Sequence, residues 1–271
     1  MSVTTLTHGD EVVRIDAGEL VGYAAGGVEY VHQKGSPGWR SADTEMFPVI
    51  GPTAEANFRV DTPRGPAAQD QHGLLRELAY EQLAATDTHA AYAKDYRAGS
   101  PVANAKYPAK STAEHLSWPY DFRFRKTFDL GPDGLAIAFQ VVAEAGMPFM
   151  LGYHPAFRLA GGAPRIVGEG VDLSLDEVLA VGSRALHVPG VDTLEIVDGE
   201  RRLRIRASGF AAGFMCWTEV RNMVCVEPIT FYPYDVPQAE LAGGMTEVPA
   251  SGGARFAVTL TPSRAPGSAR G

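Results

Sequence analysis

Three ionisable residues lie in surroundings that make them candidates for acid–base chemistry. His154 stands in "GYHPAF" and Glu227 in "VCVEPI", and in both an apolar run is followed by the ionisable residue and then by a proline. Because proline has no N–H to donate to a sheet ladder, each side chain is expected at the end of a strand. His72 stands beside Gly73 in "DQHGLLRE". An imidazole and a carboxylate that meet in a cleft can exchange protons in both directions near neutral pH.

Each of the three residues also has a structural interpretation. His72 could lie in a surface loop, and His154 could be a core histidine whose hydrogen bonds are satisfied. Glu227 could form an ion pair with Arg221, since a buried carboxylate is unfavourable unless it is paired or functional. Residue spacing alone therefore indicates an all-β protein with a polar cleft.

The composition fits one large domain with an acidic surface. The chain has 271 residues, 45% of them apolar, and no composition shift marks a boundary, so we expect a single domain over residues 1–271. Residues 263–271 are rich in Pro, Gly, Ser and Ala and are expected to form a frayed tail. Lys and Arg number 24 against 32 Asp and Glu, a formal net charge of −8. That balance argues against nucleic-acid and anionic-membrane partners, which require clustered cations.

The cysteines and the apolar runs indicate a reducing, aqueous compartment. Cys216 and Cys225 show no CxxC spacing, so two buried free thiols are expected. The N-terminal stretch has no apolar segment of signal-peptide length, and no apolar run is long enough to span a bilayer. A cytoplasmic location is the prediction.

Short alternating runs separated by Gly and Pro predict a large all-β sandwich. A turn at Pro132–Gly134 precedes a strand with Ile137, Phe139 and Val141 on one face, and Asp198–Gly199 joins two strands as a hairpin. Ser111 and Glu114 have capping-box spacing and predict a short helix that ends before Pro119. By propensity alone, the segment 74–96 would also be helical.

Six segments, in order over residues 11–235, resemble the aldose 1-epimerase (galactose mutarotase-like) family. "FMLGYHPAF" resembles its histidine motif and "QHGLLRELAYE" its HGFAR motif, which indicates the branch that carries that motif. The other four are "IDAGELVGYAAGGVEYVHQ", "GWRSADTEMFPVIG", "SWPYDFRFRKTFDL" and "VCVEPI". The resemblance implies a β-supersandwich with a few short helices and one open cleft. It also implies that residues 78–96 are mainly extended, against their propensity.

The resemblance further implies the roles of the site residues. Glu227 would be the base on the anomeric hydroxyl, His154 the acid on the ring oxygen, and His72 an assisting group. Candidate substrate-binding residues are Arg76, Arg40, Trp217 and Tyr232. The chemistry needs no cofactor and no metal, and a metal site on His72, His154 and Glu227 has no HxH or HExxH spacing to support it.

Two departures from the family pattern leave the identity of the sugar open. The HGFAR motif reads HGLLR, with Leu74 and Leu75, and Ile229 follows the Glu–Pro pair where the family has Trp. The first expectation is a mutarotase that interconverts the α and β anomers of a free aldohexose or a related sugar. The alternatives are a hexose-6-phosphate 1-epimerase of the same fold and a non-catalytic carbohydrate-binding protein. The expected partner is a small sugar, and the expected oligomeric state is a monomer or weak homodimer.

Overall fold

The computed structural model describes residues 3–264, and β-strands account for most of its regular structure. The strands are β1 (Thr4–His8), β2 (Glu11–Asp16), β3 (Glu19–Ala25), β4 (Val28–Glu29), β5 (Asp43–Met46), β6 (Arg59–Thr62), β7 (Gly65–Ala68), β8 (Glu81–Ala85), β9 (His89–Tyr96), β10 (Val102–Ala103), β11 (His115–Leu116), β12 (Phe122–Gly131), β13 (Gly134–Ala143), β14 (Pro148–Phe149), β15 (Gly152–Arg158), β16 (Arg165–Gly168), β17 (Val171–Ser174), β18 (Leu186–Val188), β19 (Thr193–Asp198), β20 (Arg201–Ser208), β21 (Phe214–Trp217), β22 (Met223–Pro228), β23 (Thr246–Glu247) and β24 (Gly253–Arg264). The helical segments are α1 (Leu175–Val181) and 3₁₀ turns at Ala54–Ala56, Leu75–Glu77, Gly182–Arg184 and Gln238–Gly244.

Two antiparallel sheets form the body of the molecule. The larger has nine strands in the order β17-β16-β19-β20-β24-β13-β12-β9-β8, and the smaller has five in the order β18-β21-β22-β15-β5. Their apolar inner faces share one continuous core that includes Phe124, Phe139, Phe157 and Val226. The predicted all-β sandwich is therefore confirmed. A four-stranded sheet of β1–β4 and three two-stranded pairs complete the fold.

Most of the local predictions agree with the structure. Residues 81–85 and 89–96 form β8 and β9, so the segment that looked helical by propensity is extended. The predicted hairpin at Asp198–Gly199 joins β19 to β20, and Ile137, Phe139 and Val141 are buried on β13. Both cysteines are free and buried. No helix in residues 3–264 is long and apolar enough to cross a bilayer.

The prediction of a short helix that begins at Ser111 is wrong, because residues 111–119 contain no helix. The Ser111 hydroxyl accepts hydrogen bonds from the Asn104 amide (3.1 Å) and from the Ala113 backbone N–H (3.2 Å), so it stabilises a turn. A capping box occurs instead at the start of α1. There the Ser174 hydroxyl accepts a hydrogen bond from the Glu177 backbone N–H, and the Glu177 carboxylate accepts one from the Ser174 backbone N–H.

The predicted frayed tail needs a partial correction. Ser263 and Arg264 continue β24 and pair with Arg202 and Arg201 of β20, so the strand is longer than expected. The rest of the predicted tail, residues 265–271, lies outside the described residues.

Candidate functional site

His154 and Glu227 face each other across two neighbouring strands of the five-stranded sheet. Strand β15 pairs with β22 at Ala156 and Cys225. An isolated bridge between Gly152 and Ile229, just past the end of β22, has the same register. That register puts His154 opposite Glu227, so two residues 73 positions apart become a cross-strand pair. Both side chains therefore project from the same face of the sheet.

His154 does not end its strand, which corrects the prediction made from Pro155. Strand β15 continues to Arg158, because it pairs with β5 over Gly152–Pro155 and with β22 over Ala156–Arg158. Pairing with β22 is interrupted between Gly152 and Ala156, where Pro155 has no N–H to donate. The proline thus opens the ladder at the point where His154 meets Glu227. Glu227 itself lies next to the end of β22, as expected.

The pair is buried and incompletely hydrogen-bonded. His154 Nε2 lies 3.6 Å from Glu227 Oε1, and the two residues are 5% and 2% exposed. Among the described residues, His154 Nδ1 and Glu227 Oε1 have no hydrogen-bond partner. Burial raises the pKa of Glu227 well above its usual value. Burial, helped by the charge of Arg76, lowers the pKa of His154 to about 3.

Aromatic rings fix the orientation of the His154 imidazole. The Trp39 indole stacks on it with ring centroids 4.3 Å apart and planes at 23°, and Trp217 meets it edge-on at 6.0 Å. The Trp39 carbonyl is in turn 2.9 Å from His32 Nε2, which ties the Trp39 loop to the body of the protein. Trp217, one of the predicted substrate-binding residues, therefore contacts His154, whereas Trp39 was not among the predicted site residues.

His72 approaches the pair from a tight loop. Its ring centroid is 5.4 Å from that of His154, and Arg76 Nη1 donates to His72 Nδ1 at 3.2 Å. The loop requires Gly73, because its φ is +70° and a Cβ there would lie 2.2 Å from the Phe47 carbonyl oxygen. Arg76 is 27% exposed and also lies 3.7 Å from Glu77. Burial, His154 and Arg76 together lower the pKa of His72 well below its usual value.

Two of the predicted substrate-binding residues make no hydrogen bond, ion pair or ring contact with His154 or Glu227 within the described residues. Arg40 is exposed, and within residues 3–264 it makes no hydrogen bond or ion pair with the site. Tyr232 stacks on His187 with centroids 4.1 Å apart and donates its hydroxyl to the Ala185 carbonyl at 3.1 Å. The ion pair considered for Glu227 is absent, since Arg221 bonds Asp176 at 2.6 Å on the surface.

Two further residues at the site were missed in the sequence. The Tyr234 hydroxyl is 3.4 Å from Gln71 Nε2, and burial together with the charge of Glu227 raises the pKa of Tyr234 to about 12. Cys225 projects from the same face of β22 as Glu227 because the two are separated by one residue. That spacing was readable in "VCVEPI", whereas the position of Tyr234 depends on a long-range contact.

The larger depressions described on the surface lie elsewhere. Cavities of about 860, 490 and 430 Å³ lie along the nine-stranded sheet and its loops, and none of His72, His154 and Glu227 lines them. A cavity of about 340 Å³ has Arg76 and Thr44 in its wall and also reaches Glu45 and Lys94. The candidate site is thus defined by its side chains and lies beneath Trp39.

Comparison with known proteins agrees with this fold. Residues 63–195 match the aldose 1-epimerase family. No curated protein matches the chain significantly. A galactose mutarotase-like protein from Lactobacillus casei is 16% identical, with 97% of this chain and 100% of that chain covered at a TM-score of 0.75.

Two other solved structures give the same result. A galactose mutarotase related enzyme from Lactobacillus acidophilus is 17% identical, with 97% and 98% of the two chains covered and a TM-score of 0.72. A galactose mutarotase-like protein from Clostridium acetobutylicum is 15% identical, with 96% and 94% covered and a TM-score of 0.67. At such identities the likeness shows the fold, which is that of galactose mutarotase-like proteins. The resemblance to the branch with the HGFAR motif stays a prediction.

Proposed function

We propose that this protein is an aldose 1-epimerase that interconverts the α and β anomers of a neutral free aldohexose. The observation that carries the proposal is the His154–Glu227 pair, an imidazole and a carboxylate 3.6 Å apart on one face of a sheet. Binding alone requires neither a proton donor nor a proton acceptor of this kind. Both partners are buried without a complete set of hydrogen bonds, which is unfavourable unless a ligand supplies the missing ones.

The reaction moves one proton onto the sugar and one off it. Glu227 accepts the proton of the anomeric hydroxyl while His154 donates a proton to the ring oxygen, and the C1–O5 bond breaks to give the open-chain aldehyde. Rotation about C1–C2 presents the other face of the aldehyde, and the reverse transfers close the ring. A single acid–base pair serves both directions, and each contact contributes roughly 10²–10⁴-fold to the rate.

The protonation of the His154–Glu227 pair is compatible with these roles. A neutral carboxyl facing a neutral imidazole holds the same number of protons as a carboxylate facing an imidazolium. Burial favours the neutral form, whereas attraction between opposite charges 3.6 Å apart favours the ionic one. Sugar hydroxyls that hydrogen-bond to Glu227 stabilise its carboxylate, so one proton shifts to His154 and sets the pair for catalysis.

Two cations close to His72, Arg76 and Lys106, are already paired, which favours a neutral sugar over a phosphorylated one. Arg76 donates to His72 and lies near Glu77, and Lys106 lies 3.1 Å from Asp70. A phosphate would have to compete with these carboxylates for its counter-ions. Because Trp39 covers His154, we also infer that its indole moves aside when a sugar occupies the cleft.

The first test is polarimetry on Glu227→Gln and His154→Asn. Each variant should lower kcat by about 10²-fold or more with a smaller change in KM, because the lost interaction belongs to the transition state. The double variant should lose less than the product of the two effects. Glu200→Gln and His115→Asn make the same changes at exposed positions and should keep wild-type kcat.

The substrate panel should contain free aldohexoses and their 6-phosphates. Turnover of glucose or galactose supports the proposal. Turnover of a hexose 6-phosphate alone would replace it with the phosphorylated alternative. Sugar binding without any turnover would point to a carbohydrate-binding protein, and wild-type kcat in either single variant would remove that residue from the mechanism.

A further inference from the structure

The face of the sheet that carries the catalytic pair also carries a thiol. Cys225 lies one residue before the Val226–Glu227 step on β22 and pairs with Ala156, the residue next but one to His154. A sulfur, a nitrogen and an oxygen donor, one from each of Cys225, His154 and Glu227, all lie within 4.8 Å of one another. All three residues are buried.

These distances suit a tetrahedral metal ion after small side-chain movements. For Zn²⁺, bond lengths of about 2.3 Å to sulfur and 2.0–2.2 Å to nitrogen and oxygen separate neighbouring donors by roughly 3.3–3.6 Å. His154 Nε2 and Glu227 Oε1 already stand 3.6 Å apart. The sulfur must approach by about 1 Å, which rotation of side chains can provide. The backbone ladder that sets the three positions can stay as it is.

Two further features point to a ligand at this place. Glu227 Oε1, the oxygen that faces the imidazole, has no hydrogen-bond partner among the described residues, although Glu227 is 2% exposed. The thiol lies in a small apolar cluster with Ala156, Met223, Trp39 and Trp217, separate from the main core. A dry surround of this kind strengthens metal–ligand bonds and excludes competing water.

We propose that His154, Cys225 and Glu227 form a binding site for a thiophilic divalent cation such as Zn²⁺, and that its occupation inhibits the enzyme. The cation would bind both groups of the proposed acid–base pair, so neither could exchange a proton with a sugar. Cys225 binds as a thiolate, Glu227 as a carboxylate and His154 as a neutral imidazole, so the thiol proton and the one proton held by the His154–Glu227 pair are both released to solvent. With one thiolate and one carboxylate, a divalent ion forms a neutral site, which suits burial. The inhibitory consequence rests on the proposed function, whereas the binding site does not.

The test compares the two cysteines of the chain. On β21, Cys216 pairs with Val226 and packs in the main core, whereas its neighbour Trp217 pairs with Cys225. Cys216 thus projects from the opposite face of the sheet, and Cys216→Ser is a matched control for Cys225→Ser. Cys225→Ala serves as a second variant in case the serine hydroxyl impairs folding.

The binding measurement uses Co²⁺ as a spectroscopic substitute for Zn²⁺, with protein stripped of metal by a chelator. Wild type and Cys216→Ser should show a thiolate-to-cobalt charge-transfer band that Zn²⁺ abolishes, and both Cys225 variants should lack it. Absence of the band in wild type, or its persistence in folded Cys225→Ala, would overturn the site. This readout needs no catalytic activity, so it stands even if the proposed function fails.

The inhibition measurement follows polarimetric activity against free Zn²⁺. Wild type and Cys216→Ser should lose activity at zinc concentrations at least about 10-fold lower than Cys225→Ser requires, since loss of even an outer-shell partner of a metal ligand weakens binding by about 10–100-fold. The activity of each protein is expressed relative to its own rate without metal, so the comparison does not depend on the basal kcat of Cys225→Ser. Equal zinc sensitivity of Cys225→Ser and wild type would show that any inhibition arises elsewhere and would overturn the inhibitory role.

Discussion

Strands β5 and β15 contribute to a buried set of ionisable residues on each face of their sheet, and the two sets differ in how their charges are paired. On the cleft face, His154 meets Glu227 at 3.6 Å with atoms left unpartnered. On the core face, Lys126 Nζ lies 2.7 Å from Asp43 Oδ2 and 2.6 Å from Glu45 Oε1. The Tyr153 hydroxyl adds a hydrogen bond to Asp43 at 2.8 Å. All these groups are buried, but the core-face carboxylates each have a lysine Nζ within 2.7 Å, whereas Glu227 has only the His154 imidazole beside it in the described residues.

The core-face set joins the two sheets. Asp43 and Glu45 belong to the five-stranded sheet, whereas Lys126 on β12 and Lys94 on β9 belong to the nine-stranded sheet. Their attraction raises the pKa of Lys126 and lowers that of Glu45, while burial raises the pKa of Asp43 to about 6. We therefore expect changes on the core face to alter stability first, and changes on the cleft face to alter activity first.

The largest effect on stability is expected from Lys126→Met. Lys126 is 0% exposed, and its loss leaves Asp43 and Glu45 in the core without their counter-ion. Breaking a buried ion pair from one side costs about 3–5 kcal/mol of unfolding free energy. Urea denaturation at pH 7 measures the loss.

A triple variant sharpens this prediction. Asp43→Asn, Glu45→Gln and Lys126→Met together remove all three charges, so the variant should recover most of the stability lost in Lys126→Met. A Lys126→Met protein within about 1 kcal/mol of wild type would show that the network contributes little, and the contrast between the two faces would fail.

Glu227→Gln is expected to change the unfolding free energy less than Lys126→Met does, and to increase it rather than decrease it. The folded-state pKa of Glu227 is raised, so its contribution to stability is present below its unfolded pKa and is lost as the pH rises through the folded value. At pH 8 the variant should therefore be more stable than wild type by about 1 kcal/mol. Gains of this size are common when a residue that serves function at the expense of stability is replaced. Urea denaturation with a chelator present should show this difference shrinking as the pH falls towards 4.5. A variant less stable than wild type at pH 8 would mean that Glu227 is a structural partner.

Much of the fold could be read from the sequence because the alternation of apolar residues is local. The strands around Ile137 and the hairpin at Asp198 follow directly from period-two patterns and turn residues. At Ser111 the local pattern failed, because Asn104, seven residues earlier, donates to the hydroxyl that was expected to cap a helix. Local signals therefore define elements well until a polar contact from outside the element competes with them.

The site could be read only in part, because its geometry depends on register. His154 and Glu227 were identifiable by type and by their prolines, but their direct opposition follows from the pairing of β15 with β22. Strand β5 shows the limit most clearly. Its sequence Asp43-Thr44-Glu45-Met46 would suggest that the acidic side faces solvent, yet that side faces the core, where Lys126 from a distant strand pairs with both acids.

The smallest expected effect concerns Lys94, which links the two faces. Its Nζ donates to the Leu75 carbonyl at 2.9 Å, in the turn that carries Arg76, and lies 4.1 Å from the centre of the Tyr80 ring. Burial lowers the pKa of Lys94 from 10.5 to about 8, against a partly compensating attraction by Glu45.

The lowered pKa fixes the sign of the pH dependence. Between about pH 8 and 10.5 the unfolded chain binds more protons at Lys94 than the folded one does, so the stability contributed by Lys94 increases with pH over this window. That contribution is lost as the pH falls through 8. The Lys94→Met variant has no titrating group at this position and lacks this pH dependence. The unfolding free energy of wild type minus that of the variant should therefore increase between pH 8 and 10.

Chemical denaturation at several pH values measures this difference. Tyrosine ionisation acts on both proteins alike and cancels in the subtraction. Lys110→Met, at an exposed lysine, is the matched control and should differ from wild type by the same amount throughout the window. A flat difference for Lys94→Met would show that Lys94 is as well solvated as Lys110, and the core face would then extend no further than Asp43, Glu45 and Lys126.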